Sequence, residues 1–148
     1  SVIRRMTASS VMNLAFARNL IREVEKKAQE MGVKAVVAVS DAAGRPVAIE
    51  CMDGAYIGSF DVALNKTFTS VAFQMSTAEL GKLAAPGGSL YGIQNTNDGK
   101  IVIFGGGEPL YVDGVLIGAI GVSGGTAEQD TALGAYGKNI AKEVISWK

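Results

Sequence analysis

The sequence predicts one α/β domain of the α+β type, in which helices flank a five-stranded, mainly antiparallel sheet. Apolar residues make up 48% of the chain and charged residues 19%, which is enough apolar material for a folded core. Helical and strand-like segments follow one another in the order α-β-β-α-α-β-β-β-α. Short hairpin turns join the strands and no crossover connection is required, which favours antiparallel pairing. The 148 residues fit a single domain spanning residues 1–148.

The first predicted helix spans residues 9–31. Ser9 or Ser10 is its predicted N-cap, and Gly32 stands where a helix commonly ends. The apolar residues recur at alternating spacings of three and four, so that they form one stripe: Leu14, Ala17, Ile21, Val24, Ala28 and Met31.

A β-hairpin and two helices are predicted next. β-forming residues at 35–39 and 47–49 flank a turn rich in Asp, Gly and Pro. Ser76 and Glu79 have the spacing of a capping box, which predicts a short helix through Leu83. The helix before it is indicated by apolar residues at helical spacing, namely Ile57, Phe60, Leu64, Phe68 and Val71.

The second half of the chain predicts three strands and a last helix. After a stretch with few regular signals, the strands are expected at residues 101–104, 110–112 and 115–122. The last two flank Asp113-Gly114, and an Asp-Gly pair between β-formers is a strong hairpin signal. Thr126 and Gln129 form a second capping-box match, which opens a helix to about Trp147.

The charge balance argues against nucleic acid and membrane surfaces as partners. Lys and Arg number 14, as do Asp and Glu, so the formal net charge is zero. A neutral, apolar-rich surface instead favours self-association. The apolar stretches are of strand length, well below the ~20 residues of a membrane span. Cys51 is the one cysteine and nothing near the N-terminus resembles a signal peptide, so we expect a cytoplasmic location.

The absence of histidine restricts the chemistry that the chain can perform. It removes the usual general base, the Ser-His and Cys-His nucleophile systems, and the commonest metal ligand. With Cys51 as the one thiol, a structural zinc site would need four carboxylate or water ligands, which is not how such sites are built. We therefore expect no metal site of this kind.

Glycine is the outstanding feature, with 19 residues concentrated at 86–92, 105–107 and 118–125. Glycine lets a backbone or a ligand approach closely, but tight turns and close packing explain any single one about equally well. Ser123-Gly124-Gly125-Thr126 leads into a helix N-terminus, which favours a ligand carboxylate. This segment lacks the neighbouring lysine of a nucleotide phosphate loop. The second segment, Gly105-Gly106-Gly107, is followed by a predicted strand, whereas a Rossmann fingerprint is followed by a helix.

Several side chains are candidates for ligand contacts. Lys66 shares a helix face with Thr69 and can pair with a carboxylate, although a solvated lysine is the commoner case. Asp130 opens the last helix, where an acidic residue favours the dipole without any catalytic role. Tyr91 can line a flat ligand, or serve the core or an interface. A free cysteine such as Cys51 is more often a small buried apolar residue than a nucleophile.

A series of motifs, in order over about residues 10 to 145, resembles the GlcG/HbpS-like family. The motifs are Met52-Asp53-Gly54-Ala55, Ala63-Leu64-Asn65-Lys66-Thr67-Phe68-Thr69, Gly105-Gly106-Gly107-Glu108-Pro109, Val112-Asp113-Gly114, and residues 118–125 with Gln129-Asp130. Residues 86–93 together with 101–104 look closest to the PduO C-terminal-domain branch of that family. The resemblance implies that the protein accompanies corrinoid-dependent diol or glycerol utilisation.

The resemblance also implies a profilin-like fold, homo-oligomers such as tetramers or octamers, and binding of haem or a related tetrapyrrole. Cys51 stands where many members have arginine. Because the chain has no histidine, an iron would be held by Cys51, a methionine or a tyrosine, or the ligand would be held by contacts alone. The family's motifs match at Lys66, Thr69, Gly105, Gly106, Gly107, Pro109, Ser123, Gly124, Gln129 and Asp130.

We therefore expect a cytoplasmic, oligomeric small-ligand-binding protein, related to haem or corrinoids and accessory to diol, glycerol or glycolate catabolism. One alternative is an enzyme acting on haem or on a small acid or aldehyde, with Lys66, Glu108 and Asp130 as acid–base candidates. The other is a structural accessory protein without a ligand. The predicted ligand-binding residues are Lys66, Thr69, Gly87, Gly88, Tyr91, Gly105, Gly106, Gly107, Ser123, Gly124, Gly125, Thr126 and Asp130.

Overall fold

Four strands and four α-helices build a three-layered α+β fold in the computed structural model, which describes residues 12–147. Two 3-10 turns, at Ile93–Asn95 and Asn97–Gly99, lie in the long connection before β3. The elements in chain order are α1 (Leu14–Glu30), β1 (Val36–Asp41), β2 (Pro46–Cys51), α2 (Ser59–Phe73), α3 (Thr77–Leu83), β3 (Gly107–Val112), β4 (Val115–Ser123) and α4 (Ala127–Val144).

The sheet has the strand order β2-β1-β4-β3, and every neighbouring pair is antiparallel, as predicted. Successive side chains of a strand point to opposite faces, so β1 serves two layers. Val37 and Val39 pack in the main core with α1 and α4. Val36 and Ala38 pack on the other face against Ala63 of α2. None of the helices within residues 12–147 is long and apolar enough to cross a bilayer.

The first helix begins later than the sequence predicted. Its N-cap is Asn13, whose side chain accepts the Phe16 N–H at 2.8 Å, whereas Ser9 and Ser10 lie outside the described residues. Its end agrees with the prediction, because Gly32 has φ +72°. Val33 donates its N–H to the carbonyl of Ala28 at 2.8 Å, which is the pattern of a Schellman end.

Both hairpin turns are confirmed. In the β1–β2 turn, Asp41 Oδ1 accepts the N–H groups of Ala43 and Arg45 at 2.9 and 3.0 Å. The β3–β4 turn consists of Asp113 and Gly114, both with positive φ, which is the type I′ geometry that an Asp-Gly pair favours. These turns join the β1–β2 and β3–β4 pairs, whereas β1 and β4 pair across a long connection.

The predicted fifth strand at 101–104 is wrong, because in residues 12–147 this segment pairs with no strand. Its first side chains are buried, and the Val102 N–H donates to Thr69 Oγ1 of α2 at 3.0 Å instead of to a strand. The edge of β3 offers residues 101–104 few free N–H groups with which to pair. The Gly107 N–H there is taken by Thr77 Oγ1 at 2.9 Å, and Pro109 has no N–H to donate.

The second helix buries a different face from the one its large apolar residues form. Against the sheet lie small and polar side chains, and Gly121 of β4 permits this because a Cβ there would collide with the Ala63 carbonyl. Ile57 precedes the helix and is 96% exposed, and Phe60 is 41% exposed. The buried residues are Ser59, Ala63, Lys66, Thr67, Thr69 and Ser70.

Both predicted capping boxes mark true helix starts. Ser76 Oγ accepts the Glu79 N–H at 3.1 Å, and α3 ends at Leu83 as expected. Thr126 and Gln129 form the complete reciprocal box at the start of α4. That helix ends at Val144, three residues before the predicted Trp147.

Candidate functional site

A buried ion pair joins α2 to the N-terminal turn of α4. Lys66 Nζ lies 3.3 Å from Asp130 Oδ2, and the Lys66 side chain is fully buried. Lys66 Nζ also donates to the carbonyl of Val122 at the end of β4, at 2.6 Å. The ammonium is therefore bound within the protein by one charged and one neutral acceptor.

The environment of Lys66 disfavours its charged form. Burial lowers the pKa of Lys66 because the ammonium loses its hydration, and the nearby Asp130 carboxylate opposes this effect. The Phe104 ring has its centroid 5.0 Å from Lys66 Nζ and is itself half exposed. Phe104 thus adds a cation–π contact to the buried ammonium.

Asp130 also satisfies the backbone that precedes α4. Its Oδ1 accepts the Gly125 N–H at 2.8 Å, and its Oδ2 accepts the Gly124 N–H at 3.4 Å. The Thr126 N–H donates to Gln129 Oε1 at 2.9 Å. The sequence predicts a ligand carboxylate near Thr126. In the structure the carboxylate of Asp130 accepts the Gly124 and Gly125 N–H groups beside it.

The glycines at 105–107 are closely packed by the protein's own atoms. A Cβ on Gly106 would lie 2.6 Å from Lys66 Nζ, and one on Gly107 would lie 2.8 Å from the Lys66 carbonyl oxygen. A Cβ on Gly105 would collide with Thr131 Oγ1. These contacts explain the three glycines by packing, and they bring the Gly-rich loop onto the ion pair.

Thr69 and the predicted residues of the connection after α3 line neither of the two grooves described below. Thr69 is buried, and its hydroxyl donates to the Asn65 carbonyl at 2.8 Å while accepting the Val102 N–H. Gly87 and Tyr91 lie in the connection after α3, where Tyr91 is 67% exposed. Gly88 is close to the Leu83 carbonyl at the end of α3.

Two adjoining grooves lie where α1 ends, β2 ends and α4 begins. They share three lining residues, 32–34, in the α1–β1 connection. The larger groove, of about 540 Å³, is lined by Glu25, Gln29, Gly32, Val33, Lys34, Cys51, Met52 and Asp53. The smaller groove, of about 290 Å³, is lined by Gly32, Val33, Lys34, Gly54, Tyr56, Gly124, Gly125 and Gln129. Of the predicted site, Gly124 and Gly125 therefore line a groove.

The grooves are lined by a thiol at the end of β2, a thioether and a phenol on the segment after it, and an ammonium group in the α1–β1 connection. Cys51 is an exposed free thiol, and Tyr56 is 75% exposed. Met52 Sδ accepts the Ala35 N–H at 3.4 Å, which fixes its thioether at the groove. Lys34 is exposed and lines both grooves. Sequence reasoning noted Cys51 and the motif after it but did not identify Lys34 or Tyr56.

Glu25 places a titrating carboxyl in the larger groove. Its pKa is raised to about 7, first by loss of hydration and then by the hydrogen bond and charge of Glu50 on β2. Arg22 opposes the rise. The protonation state of the groove wall therefore changes near neutral pH.

Comparison with known proteins decides the family. Residues 12–138 match the family model described as haem degrading protein HbpS-like. The chain belongs to the HbpS-like family. Within it, the chain is 44% identical over 124 residues to an uncharacterised 15.0 kDa protein of the dhaT-dhaS intergenic region of Citrobacter freundii, covering 84% of this chain and 87% of that protein.

The PduO branch of the HbpS-like family is also supported. The chain is 41% identical over 111 residues, or 75% of its length, to the corrinoid adenosyltransferase PduO of Salmonella typhimurium, but spans only 33% of that protein. A crystal structure of a PduOC:heme complex superposes with a TM-score of 0.79 at 38% identity, covering 82% of this chain and 88% of that one. The resemblance predicted from the motifs is confirmed.

Proposed function

We propose that this HbpS-like chain binds haem in the adjoining grooves, with Cys51 as the iron ligand. The observation that carries the proposal is the exposed Cys51 thiol in the wall of a groove of about 540 Å³. Thiolate, thioether and phenolate groups all serve as axial haem ligands in proteins. The donor set therefore fits haem although the chain has no histidine. A bound haem supplies an iron centre whose reactivity depends on its axial ligand.

Charge and chemistry along the grooves support the same ligand class. Lys34 offers a cation to a carboxylate, and a Cβ on Gly54 would lie 3.2 Å from its Nζ, so its ammonium lies beside the Met52–Gly54 turn. Tyr56 adds an aromatic face that is still exposed. Haem combines a flat apolar ring with carboxylates, and these residues suit both parts. The contacts predicted for Lys66, Tyr91 and the 87–88 loop remain predictions.

We also propose that the chain self-associates through the outer face of α2 and the residue Ile57 that precedes it. Ile57 and, on the helix, Phe60 are exposed, whereas Leu64 and Phe68 at the following helical positions are half-buried. Exposed apolar patches mark association surfaces, and a zero net charge gives little repulsion between copies. Ile57→Lys should shift the sedimentation coefficient towards the monomer, whereas Leu14→Lys, at an exposed apolar residue of α1, should not. Equal sedimentation of both variants and the wild type would reject this surface.

The proposed biological setting is an accessory role in diol or glycerol catabolism in the cytoplasm. The catabolic role rests on the names of the relatives, one of which lies in a dhaT-dhaS region and another of which is a corrinoid adenosyltransferase. The proposed location rests on the single cysteine of the sequence. Because the second relative is a corrinoid adenosyltransferase, a corrinoid is the alternative ligand to haem. Both ligands therefore belong in the same experiment.

A titration with hemin and with cobalamin, followed by absorbance, tests the proposal. We expect a saturable hemin spectrum in the wild type and at least about tenfold weaker binding in Cys51→Ser, because the ligand atom is removed. Ser146→Ala is the control, since this exposed side chain lines neither groove and is not a predicted ligand contact. Saturation with cobalamin alone would replace haem by a corrinoid. Saturation with neither would reject a tetrapyrrole ligand.

A further inference from the structure

The Lys66–Asp130 pair is connected directly to the wall of the smaller groove. Gly124 and Gly125 line that groove, and both of their N–H groups donate to the Asp130 carboxylate. Lys66 holds the same carboxylate at 3.3 Å and the Val122 carbonyl at 2.6 Å. The lysine therefore contacts the end of β4 directly and the following loop through Asp130.

The other side of the loop packs against the connection shared by both grooves. A Cβ on Gly124 would collide with the Lys34 carbonyl, and one on Gly125 would lie 3.2 Å from Val33 Cγ1. The backbone at Gly124 and Gly125 is thus held between the ion pair and the Val33–Lys34 segment.

We infer that Asp130, which Lys66 contacts, is a positioning residue whose side-chain acceptor fixes the Gly124–Gly125 wall and thereby the affinity of the groove for its ligand. This inference rests on the proposed function. Replacing a buried ion pair by apolar groups of similar volume commonly leaves stability unchanged or raises it. A gain in stability therefore does not readily explain why a buried ion pair lies here. The hydrogen bonds of Asp130 to Gly124 and Gly125 give a specific explanation, which is that the pair positions this loop.

Two double variants separate positioning from stability. Lys66→Met/Asp130→Asn removes both charges but keeps an oxygen that can accept the Gly125 N–H. Lys66→Met/Asp130→Leu removes the same charges at similar volume and leaves no acceptor. Ser70→Ala controls for changes on the buried face of α2, because the Ser70 hydroxyl has no hydrogen-bond partner among the described residues.

The readouts are amide hydrogen exchange at Gly124 and Gly125 without ligand, and the hemin dissociation constant. We expect the Leu double variant to show about tenfold faster exchange at Gly125 and about tenfold weaker hemin binding than the Asn double variant, as for one lost hydrogen bond. Ser70→Ala should resemble the wild type in both. Equal exchange, or equal affinity, in the two double variants would overturn the inference.

The two proposals fail in different ways. If the wild type binds no hemin, the proposed function fails, while the exchange rates still report whether the pair fixes the loop. If the wild type binds hemin and the two double variants bind it equally, the proposed function stands and the positioning role is rejected. Global unfolding by urea, measured on the same variants, shows whether a faster exchange is confined to the loop.

Discussion

Lys66 Nζ and Asp130 Oδ2 lie 3.3 Å apart across 64 positions of sequence, and neither side chain is more than 6% exposed. Desolvating two charges is expensive, and the cost is recovered only when each charge has close partners. Here Lys66 has Val122 and Phe104 in addition, and Asp130 has two backbone amides. The pair therefore behaves as one unit, and removing half of it differs from removing all of it.

Lys66→Met alone should destabilise the protein by about 3–5 kcal/mol, because it leaves the buried Asp130 carboxylate without its cation. The free energy of unfolding in urea measures this. Lys27→Met is the matched control, since it breaks the Lys27–Glu30 pair at 3.5 Å, in which both side chains are well exposed. Such surface pairs contribute about 0–1 kcal/mol. A loss in Lys66→Met no larger than in the control would contradict the reading of the pair as buried and coupled.

The Glu25 carboxyl predicts a pH-dependent stability. Its pKa rises from an ordinary 4.5 to about 7 on folding, so between these values the native state holds the proton more firmly than the unfolded state. The contribution of Glu25 to the free energy of unfolding should be largest below pH 4.5 and should decrease as the pH rises to about 7. After allowance for solvent screening in the open groove, we expect a loss of about 1 kcal/mol.

Glu25→Gln should remove that part of the pH dependence, as measured by urea midpoints at pH 5 and pH 8. Glu30→Gln, in an exposed ion pair on the same helix, is the control and should keep the wild-type slope. If the slope of Glu25→Gln between pH 5 and pH 8 equals that of the wild type, Glu25 is not the titrating group.

Local signals explain why much of the fold was predictable. The turn at Asp113-Gly114, the box at Thr126 and the helix end at Gly32 each depend on residues within a few positions. The strand predicted at 101–104 failed because burial alone does not make a strand. Its Val102 amide found the Thr69 hydroxyl, a contact 33 positions away in the sequence.

The candidate site was less predictable because its parts come from distant segments. Lys66 and Asp130 were each identified, but as separate ligand contacts, and their partnership depends on how α2 and α4 pack. The grooves combine residues of the α1 end, the segment after β2 and the loop before α4. No sequence spacing relates Lys34 to Cys51 or Tyr56, so periodicity could not bring them together.

Gly106→Ala should destabilise the protein by about 2–4 kcal/mol. Gly106 has φ +125°, which alanine adopts only with strain, and the added Cβ would lie 2.5 Å from the Val122 carbonyl and 2.6 Å from Lys66 Nζ. Gly58→Ala is the control, because nothing lies within 4 Å of its Cβ position and its φ is −63°. Thermal unfolding should show a large decrease for the first variant and a change within about 1 kcal/mol for the second.

The Cys51 thiol should be reactive in the free protein and protected by ligand. It is the one thiol in the sequence and is exposed in the groove wall, so a disulfide reagent should modify one group per chain. If hemin occupies the groove and uses this sulfur, saturating hemin should slow the reaction at least about tenfold, since both access and the free thiolate are lost. Stopped-flow absorbance at fixed reagent concentration measures the rate, with glutathione in place of the protein as the control for direct reaction of hemin with reagent. An unchanged Cys51 rate at hemin saturation would place the bound haem elsewhere on the protein and would remove Cys51 as its ligand.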